Sequence, residues 1–327
     1  MTNHDLQELN FICALEAKPL ARLFEDRFVL DDLKSLGAGV SLALLDFSEE
    51  RTEAVRLLNK LSIPVTAWLM LPSEQGAWPT LENSATVLER YHAFEQWSQR
   101  KKLAWAGIGL GIKTSVNGSF FGPAGKISAE QLAQAQQNYQ QLVDQIHADG
   151  YHLEVYRPAV TEVVLRSGVK VLRKPVSQLE LPAERQVDLL FTSLLRAQPQ
   201  AGLWRHLSGS QAIGLGMTGA STLFPQAKTS EPLSWQELTQ GLRLAARSGK
   251  PVYVFSLEGC AKLGYLDRLI TFEPAGMDEK QTMSAKKSEH PAAQPRSVLT
   301  RRHWAGLAAL AGLIGSIMLL RRRKTSK

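Results

Sequence analysis

Residues 28–71 read FVLDDLKSLGAGVSLALLDFSEERTEAVRLLNKLSIPVTAWLML and contain the same local pattern twice. The segments 28–36 and 49–61 have the apolar spacing of amphipathic helices. Each is followed within a few residues by a short, nearly continuous apolar run, at residues 40–46 and 65–71, which is typical of a strand buried on both faces. Helices that alternate with such strands predict a parallel α/β sheet.

The same alternation continues through most of the chain. We predict strands at residues 10–15, 40–46, 65–71, 105–113, 151–157, 187–194, 212–217 and 252–258. We predict helices at residues 28–36, 49–61, 83–101, 128–148, 160–169 and 234–248. Eight parallel strands with intervening helices predict an α/β fold of the closed (β/α)8 TIM-type barrel class. The alternative is a doubly wound sheet, but the chain lacks the glycine-rich phosphate turn expected after its first strand.

The domain organisation follows from the far end of the sequence. Residues 304–320 read WAGLAALAGLIGSIMLL, which contains no charged residue, and Arg321-Arg322-Arg323-Lys324 follows directly. Such a run is at the short end of what crosses a bilayer as a helix, and flanking arginines can reach the interface. We therefore predict a barrel at 1–274, a flexible polar linker at 275–303, one transmembrane helix at 304–320 and a basic tail at 321–327.

The charge of the chain is concentrated in the same region. The whole chain carries +7, whereas residues 275–327 hold eleven Lys or Arg against three acids, so the rest comes to −1. Basic residues beside an apolar span meet anionic lipid headgroups. A nucleic-acid-binding barrel would need a basic face of its own. We expect membrane lipid as a partner and no nucleic acid.

Two further expectations concern assembly and location. Ala308, Gly312 and Ser316 recur every four residues, a stripe of small residues that allows two membrane helices to pair in a homodimer. The first residues have no basic start followed by a long apolar core, so we see no signal peptide. This favours a cytoplasmic barrel with a single-pass C-terminal anchor. The alternative is an exported protein with a C-terminal sorting tag.

Metal and cofactor sites are not indicated by the composition. The chain has two cysteines and seven histidines. Their spacing fits no zinc motif, and two cysteines exclude a disulfide-rich scaffold. Cys13 falls in the middle of the first predicted strand, whereas Cys260 lies past the end of the last one, so their heights differ and we expect no disulfide between them.

Candidate catalytic residues come from the ends of the strands, where TIM-type barrels carry their chemistry. Side chains alternate along a strand, so every second residue faces the lumen. On the last strand this assigns the lumen to Val252, Val254, Ser256 and Glu258. Tyr253, Phe255 and Leu257 are assigned to the helix layer. With Glu154 on the fifth strand and Asp46 at the end of the second, we expect three carboxyl groups at the mouth.

Aromatic and basic side chains are expected beside these acids. The candidate substrate-binding residues are Trp68, Tyr156, Arg157, Lys113 and Trp204. Carboxylates ringed by aromatics suit sugar chemistry, because one carboxyl protonates the leaving oxygen and another attacks or activates water. The competing explanation is structural, since an acid at a strand end often caps the next helix or pairs with an arginine.

The fourth predicted strand carries a family resemblance. Residues 105–113, WAGIGLGIK, resemble the fourth strand of chitinase-type glycoside hydrolases, which reads roughly DGIDLDIE. In that family the alternating acids line the lumen and the final Glu is the general acid. This chain has Gly109 and Gly111 at the two Asp positions and Lys113 at the Glu position. The resemblance therefore implies a barrel related to these hydrolases from which every acid of this strand is missing.

Three functional hypotheses remain open at this point. The first is a membrane-anchored, glycoside-hydrolase-like barrel that binds or hydrolyses carbohydrate, with Glu154 and Glu258 as its carboxylate pair. The second is a non-catalytic, membrane-tethered binding or scaffold module, a pseudoenzyme. The third is a lyase in which Lys113 forms a Schiff base. Against the third, we expect Lys113 to pair with Glu154 on the neighbouring strand.

Overall fold

The structure, a computed structural model, describes residues 8–113, 128–158, 179–190, 210–219 and 231–274. The chain divides into two units, Met1–Met277 and Asp278–Lys327, and the second lies outside the described residues. The first unit is a closed barrel of eight parallel strands in sequence order. The strands are β1 (Leu9–Cys13), β2 (Gly39–Leu44), β3 (Val65–Leu69), β4 (Gly107–Leu110), β5 (Leu153–Pro158), β6 (Arg185–Leu190), β7 (Ala212–Gly216) and β8 (Val252–Phe255). The predicted TIM-type barrel is confirmed.

Helices cover the outside of this barrel. Those in the described residues are α1 (Ala17–Glu25), α2 (Arg27–Leu36), α3 (Glu49–Lys60), α4 (Ser84–Lys101), α5 (Ala129–Ala148), α6 (Trp235–Ser248), α7 (Leu257–Lys262) and α8 (Tyr265–Ile270). Ser128 and Ser234 begin α5 and α6 with complete capping boxes, in which each serine side chain accepts from the backbone N–H three residues on. Local sequence thus fixes where these helices start.

Some predicted segments fall elsewhere or outside the described residues. The prediction placed 252–258 in one strand, but β8 ends at Phe255 and Glu258 lies in the first turn of α7. The predicted helix 160–169 and the span 304–320 are outside the described residues. Within the ranges that are described, no helix is long and apolar enough to cross a membrane.

The lumen is filled by apolar and aromatic side chains. This cluster comprises Ile12, Ala14, Ala43, Leu45, Trp68, Met70, Trp78, Tyr156, Val187, Leu189, Ala212, Met217, Tyr253 and Phe255. The predicted facing of β8 is therefore wrong, because Tyr253 and Phe255 point inward and Val252 and Val254 pack against the helices. The Tyr253 ring lies inside because its hydroxyl donates to Glu154 and accepts from Arg185 within the lumen.

Candidate functional site

The carboxyl end of the lumen is built around Trp68, which is fully buried on β3. Its ring meets Trp78 edge-on with the ring centroids 5.5 Å apart, and Tyr156 edge-on at 5.3 Å. Edge-to-face contacts of this kind contribute beyond the apolar area that they bury. Trp78 comes from the loop after β3, and its side chain is also buried. The three rings form a continuous aromatic wall.

The glycines of β4 make room for this wall. A Cβ atom on Gly109 would lie 2.4 Å from Cε2 of Tyr156. A Cβ on Gly111 would lie 3.3 Å from Cζ3 of Trp78 and 3.4 Å from Nε1 of Trp68. Side chains at these two positions therefore compete with the rings for the same space. The positions where the resembling hydrolases carry aspartates are here lined by the aromatic rings of neighbouring segments.

The Trp68 indole nitrogen has an unusual environment. Nε1 is buried and has no hydrogen-bond partner among the residues that the structure describes. A buried N–H without an acceptor costs about 1–3 kcal/mol, so most such groups are paired. A Cβ on Gly111 would lie 3.4 Å from Nε1, which is a tight contact, so the glycine lets the Trp68 ring pack close against the end of β4.

Lys113 lies at the rim of the same wall. Its backbone N–H donates to the Pro79 carbonyl at 2.8 Å, which ties the end of β4 to the loop carrying Trp78. Its ammonium nitrogen lies 4.6 Å from the centroid of the Trp78 ring, within cation–π range. Burial lowers the pKa of Lys113 to about 8, because the charged form loses hydration.

Glu154 lies at the opposite end of the lumen from where we predicted it. It is the second residue of β5 and pairs in register with Arg185, the first residue of β6. Its carboxylate accepts from the Tyr253 hydroxyl at 2.6 Å, the Tyr156 hydroxyl at 2.9 Å and Arg185 at 3.3 Å. Arg185 also binds Glu8, just before β1. Burial raises the pKa of Glu154 despite these donors. This amino-terminal network reads as structural, since barrels place their chemistry at the other end.

The expected contact between Lys113 and Glu154 fails for the same reason. Gly109, the register partner of Glu154, precedes Lys113 by four residues, which is on the order of 13 Å along an extended chain. Arg185 takes the place predicted for Lys113 as the cation beside Glu154.

Asp46 lies at the carboxyl end, in an ion pair. Its two oxygens accept from Nε and Nη2 of Arg51 at 3.2 and 3.0 Å, and Oδ1 also accepts from the Ser48 backbone N–H at 2.9 Å. Arg51 is fully buried and also donates to the Ala43 and Leu15 carbonyls. Burial opposes ionisation of Asp46, but the Arg51 hydrogen bonds and charge outweigh it and lower the pKa to about 2. Asp46 is therefore explained as a structural residue, a strand-end acid that pairs with an arginine.

Glu258 is buried beside Cys13, whose side chain packs in the shell between strands and helices. Both carboxyl oxygens are buried and lack a hydrogen-bond partner within the described part of the chain. Burial raises the pKa of Glu258 to about 7. Burial first, and then the nearby Glu258 carboxylate, raise the pKa of the Cys13 thiol. Cys13 and Cys260 are both free thiols, as the expected lack of a disulfide requires.

The remaining candidate residues are Arg157 and Trp204. Arg157 lies on β5 and binds Oδ1 of Asp188 on β6 through Nε and Nη2 at 3.1 and 2.8 Å, so its guanidinium is held across the sheet. Trp204 lies outside the described residues. Sequence reasoning missed Trp78, Arg51 and Arg185. For Arg51 a signal existed, since an arginine five residues after a strand-end aspartate falls on the first turn of the next helix.

No group of three or more His, Cys, Asp or Glu side chains suited to hold a metal ion occurs in the described ranges. The prediction of no metal site and no cofactor stays a prediction. The three candidate carboxyls occupy different surroundings, so the structure does not assemble the predicted trio.

Comparisons with known proteins add the architecture only. No protein-family model matches the chain, and no curated protein matches its sequence. Solved structures do match. One is a xylose isomerase-like TIM barrel protein from Mycobacterium smegmatis in complex with magnesium, at TM-score 0.44 and 14% identity over 83% of this chain and 98% of that one.

Two others match at a similar level. A family 2 AP endonuclease from Brucella melitensis matches at TM-score 0.44 and 11% identity, over 79% of this chain and 97% of that one. A sugar phosphate isomerase/epimerase from Parabacteroides distasonis matches at TM-score 0.40 and 8% identity, over 81% of this chain and 97% of that one. Similarity at these levels carries no information about the ligand or reaction of this chain.

Proposed function

We propose that this protein is a membrane-tethered barrel that binds carbohydrate at its carboxyl end without hydrolysing it through a pair of carboxylates. The observation that carries the proposal is the contact between β4 and the aromatic wall. The Tyr156 ring fills the space beside Gly109, where a Cβ would come within 2.4 Å of it. Strand four therefore lacks the acids of the resembling hydrolases, and at Gly109 it has no room for one.

The candidate carboxyls support the same conclusion. Glycoside hydrolysis needs two carboxyl groups that flank one sugar bond, about 5–10 Å apart. Asp46 is neutralised by Arg51, and Glu154 is neutralised by Arg185 at the amino end. Glu258 lies beside Cys13 in the shell outside the lumen.

The ligand class follows from what remains at the mouth. Trp78 covers the aromatic wall at the carboxyl end, where Trp68 and Tyr156 are buried beneath it, and Lys113 places a cation against the Trp78 ring. Aromatic faces give a pyranose ring an apolar platform, while nearby donors orient its oxygens. The tether is the run 304–320, whose hydropathy suits a bilayer.

Binding and hydrolysis are separated by one pair of assays on the full chain in detergent. We expect retention on an oligosaccharide array and no release of reducing ends from the bound sugars. Trp78→Ala should abolish retention, whereas Trp105→Phe, in the layer between strands and helices, should leave it unchanged. Reducing ends released in proportion to protein, and lost in Glu258→Gln, would overturn the non-hydrolytic assignment.

The tether has its own test. After expression, the full chain should sediment with membranes and resist alkaline carbonate, and a chain ending at residue 303 should not. Protease applied to intact spheroplasts then reports the side of the membrane. We propose that the barrel faces the cytoplasm, so shaving from outside would contradict that orientation and favour export.

A second function is favoured by one observation, the lowered pKa of Lys113. A lysine that titrates near pH 8 supplies a neutral amine able to attack a carbonyl carbon, with loss of water to give an imine. Borohydride in the presence of a sugar aldehyde would then add one covalent sugar at Lys113. Absence of such an adduct leaves carbohydrate binding as the function.

A further inference from the structure

The Glu258 carboxyl takes no part in the proposed function, yet its surroundings are unusual for an acid. Both of its oxygens are buried, and neither has a hydrogen-bond partner within the described residues. A buried carboxylate is stable only when it is paired and hydrogen-bonded, and an acid without such partners is held in its neutral form. The position of Glu258 therefore favours the protonated acid in the folded barrel.

The groups that face this carboxyl from the barrel side do not compensate a charge on it. The Cys13 thiol faces it from β1, and Ser256 lies between it and the end of β8. Arg51 of α3 acts on the Cys13 thiol, but its guanidinium is paired with Asp46. Burial outweighs the nearby Ser256 and Cys13 side chains and raises the pKa of Glu258 from 4.5 to about 7.

The helices α7 and α8 supply no compensating cation either. Cys260 on α7 is a buried free thiol. Tyr265 on α8 lies close to that thiol, and its hydroxyl donates to the Leu233 carbonyl at 3.1 Å. The other charged residues of the two helices are exposed, namely Lys262, Asp267 and Arg268. Ionisation of Glu258 therefore places an unpaired negative charge in the shell between strands and helices.

The helices that surround this carboxyl are short. α7 and α8 have six residues each, and helices of this length depend on tertiary packing rather than on their own hydrogen bonds. α7 packs against β1, and α8 packs against α2. Both follow the last strand of the closed sheet. They can therefore leave the surface without breaking a strand pair, which is the usual form of a local opening.

We propose that α7 and α8 form a pH-sensitive latch, which is closed while the Glu258 carboxyl is protonated and opens locally when that carboxyl ionises. Opening brings the carboxylate into water and releases the two helices from β1 and α2, while the eight strands stay paired. The latch is independent of carbohydrate binding, so either proposal can fail without the other.

The direction of the pH dependence follows from the two states of the latch. In the open state the Glu258 carboxyl has its ordinary pKa of 4.5, whereas burial in the closed state raises that pKa to about 7. The closed latch is therefore most stable below pH 4.5, loses stability as the pH rises to 7, and changes no further well above that value. The opening constant should rise on the order of fiftyfold between pH 5 and pH 8 and then level off.

Hydrogen–deuterium exchange on the full chain in detergent tests the latch directly. The rates are measured from pH 5 to pH 9 and corrected for the intrinsic effect of pH on amide exchange. Residues 257–270 should lose protection on the order of fiftyfold between pH 5 and pH 8. Low urea should leave this protection unchanged, because a local opening exposes little surface, whereas the most protected amides of α4 should lose protection in urea.

Thiol labelling gives a second readout that compares variants at a single pH. Cys13 faces Glu258 from β1 and Cys260 lies on α7, and both are fully buried while the latch is closed. At pH 8 both thiols should be labelled about tenfold faster or more in the unmodified protein than in Glu258→Gln, which cannot ionise. Glu89→Gln, at an exposed position on α4, is the matched control and should be labelled like the unmodified protein.

Two results would overturn the latch. If the protection of residues 257–270 follows that of α4 in urea, the two helices open only together with the whole barrel. If that protection is constant from pH 5 to pH 8, Glu258 does not control the opening. Both measurements are made on the unmodified protein, so the test stands even if Glu258→Gln folds poorly.

Discussion

The Tyr253 hydroxyl donates a 2.6 Å hydrogen bond to the Glu154 carboxylate across the amino-terminal end of the lumen. The same carboxylate accepts from the Tyr156 hydroxyl, whose oxygen in turn accepts from the Ser41 hydroxyl at 3.0 Å. Residues from β2, β5 and β8 are thereby joined inside the barrel. Because these polar groups are buried and paired with one another, the network holds strands from opposite sides of the barrel in register.

Glu154 is therefore expected to act on stability. Glu154→Ala leaves the Tyr253 and Tyr156 hydroxyls without their carboxylate acceptor, which we expect to cost about 1–3 kcal/mol of unfolding free energy. Chemical denaturation measures this, with Tyr253→Phe as the second arm of a double-mutant cycle. The pair should show positive coupling. Additive effects of the two substitutions would mean that the hydrogen bond contributes nothing.

Gly109 is expected to tolerate no side chain. Gly109→Ala brings a Cβ to 2.4 Å from the Tyr156 ring, and overpacking of this kind costs roughly 1–3 kcal/mol or more. Gly111→Ala meets its neighbours at 3.3 Å and beyond, so it should cost less. The comparison of the two melting temperatures is the measurement. In a Tyr156→Ala background, the cost of Gly109→Ala should shrink, and an unchanged cost would contradict this explanation.

Glu258 is expected to make stability depend on pH. Its pKa is raised from 4.5 to about 7 in the folded protein, so the native state binds the proton more tightly than the unfolded chain. Stability from this group is complete below pH 4.5 and is lost as the pH rises to 7, by about 3 kcal/mol. Relative to the unmodified protein, Glu258→Gln should gain that amount between pH 4.5 and pH 8.

The control for this pH dependence is Glu89→Gln, an exposed position on α4. It should run parallel to the unmodified protein at every pH. If Glu258→Gln also runs parallel, the carboxyl is not held in its protonated form by the fold.

Asp46 is expected to make stability depend on pH in the opposite direction. Its pKa is lowered from 3.8 to about 2 by Arg51, against the effect of burial, so its contribution is present above pH 3.8 and lost as the pH falls to 2. The side chain is 34% exposed, and after discounting for solvent screening we expect about 1 kcal/mol. Asp46→Asn should remove this part of the acid dependence. The surface variant Asp144→Asn should retain it, and identical acid profiles for both variants would contradict the assignment.

Lumen positions were harder to predict than strands. For β5 the alternation correctly assigned Glu154 and Tyr156 to the lumen, where the Tyr156 hydroxyl donates to the Glu154 carboxylate. For β8 the same rule chose the wrong face, since it treated aromatic residues as partners of the helices. Alternation gives two faces without saying which is inside. On β8 the partners of Tyr253 in the lumen, Glu154 and Arg185, come from other strands and are not visible in the local sequence.

The position of a side chain along the barrel axis was also hard to predict. Glu154 and Glu258 looked equivalent in the sequence, as acids close to a predicted strand. Glu154 follows the first residue of its strand, whereas Glu258 comes after the last residue of β8. A prediction of boundaries that is wrong by two or three residues shifts a side chain by roughly 7–10 Å along the lumen.

The sequence by itself determined the (β/α)8 barrel, because the alternation of apolar runs with amphipathic helices is local and is repeated along the chain. It also determined that strand four carries glycine and lysine where the resembling hydrolases carry acids. Only the tertiary structure decided what those changes mean. It brought Trp68, Trp78 and Tyr156 into the space left by Gly109 and Gly111, and it paired Asp46 and Glu154 with arginines. These contacts depend on register and lumen volume, which no single segment of the sequence contains.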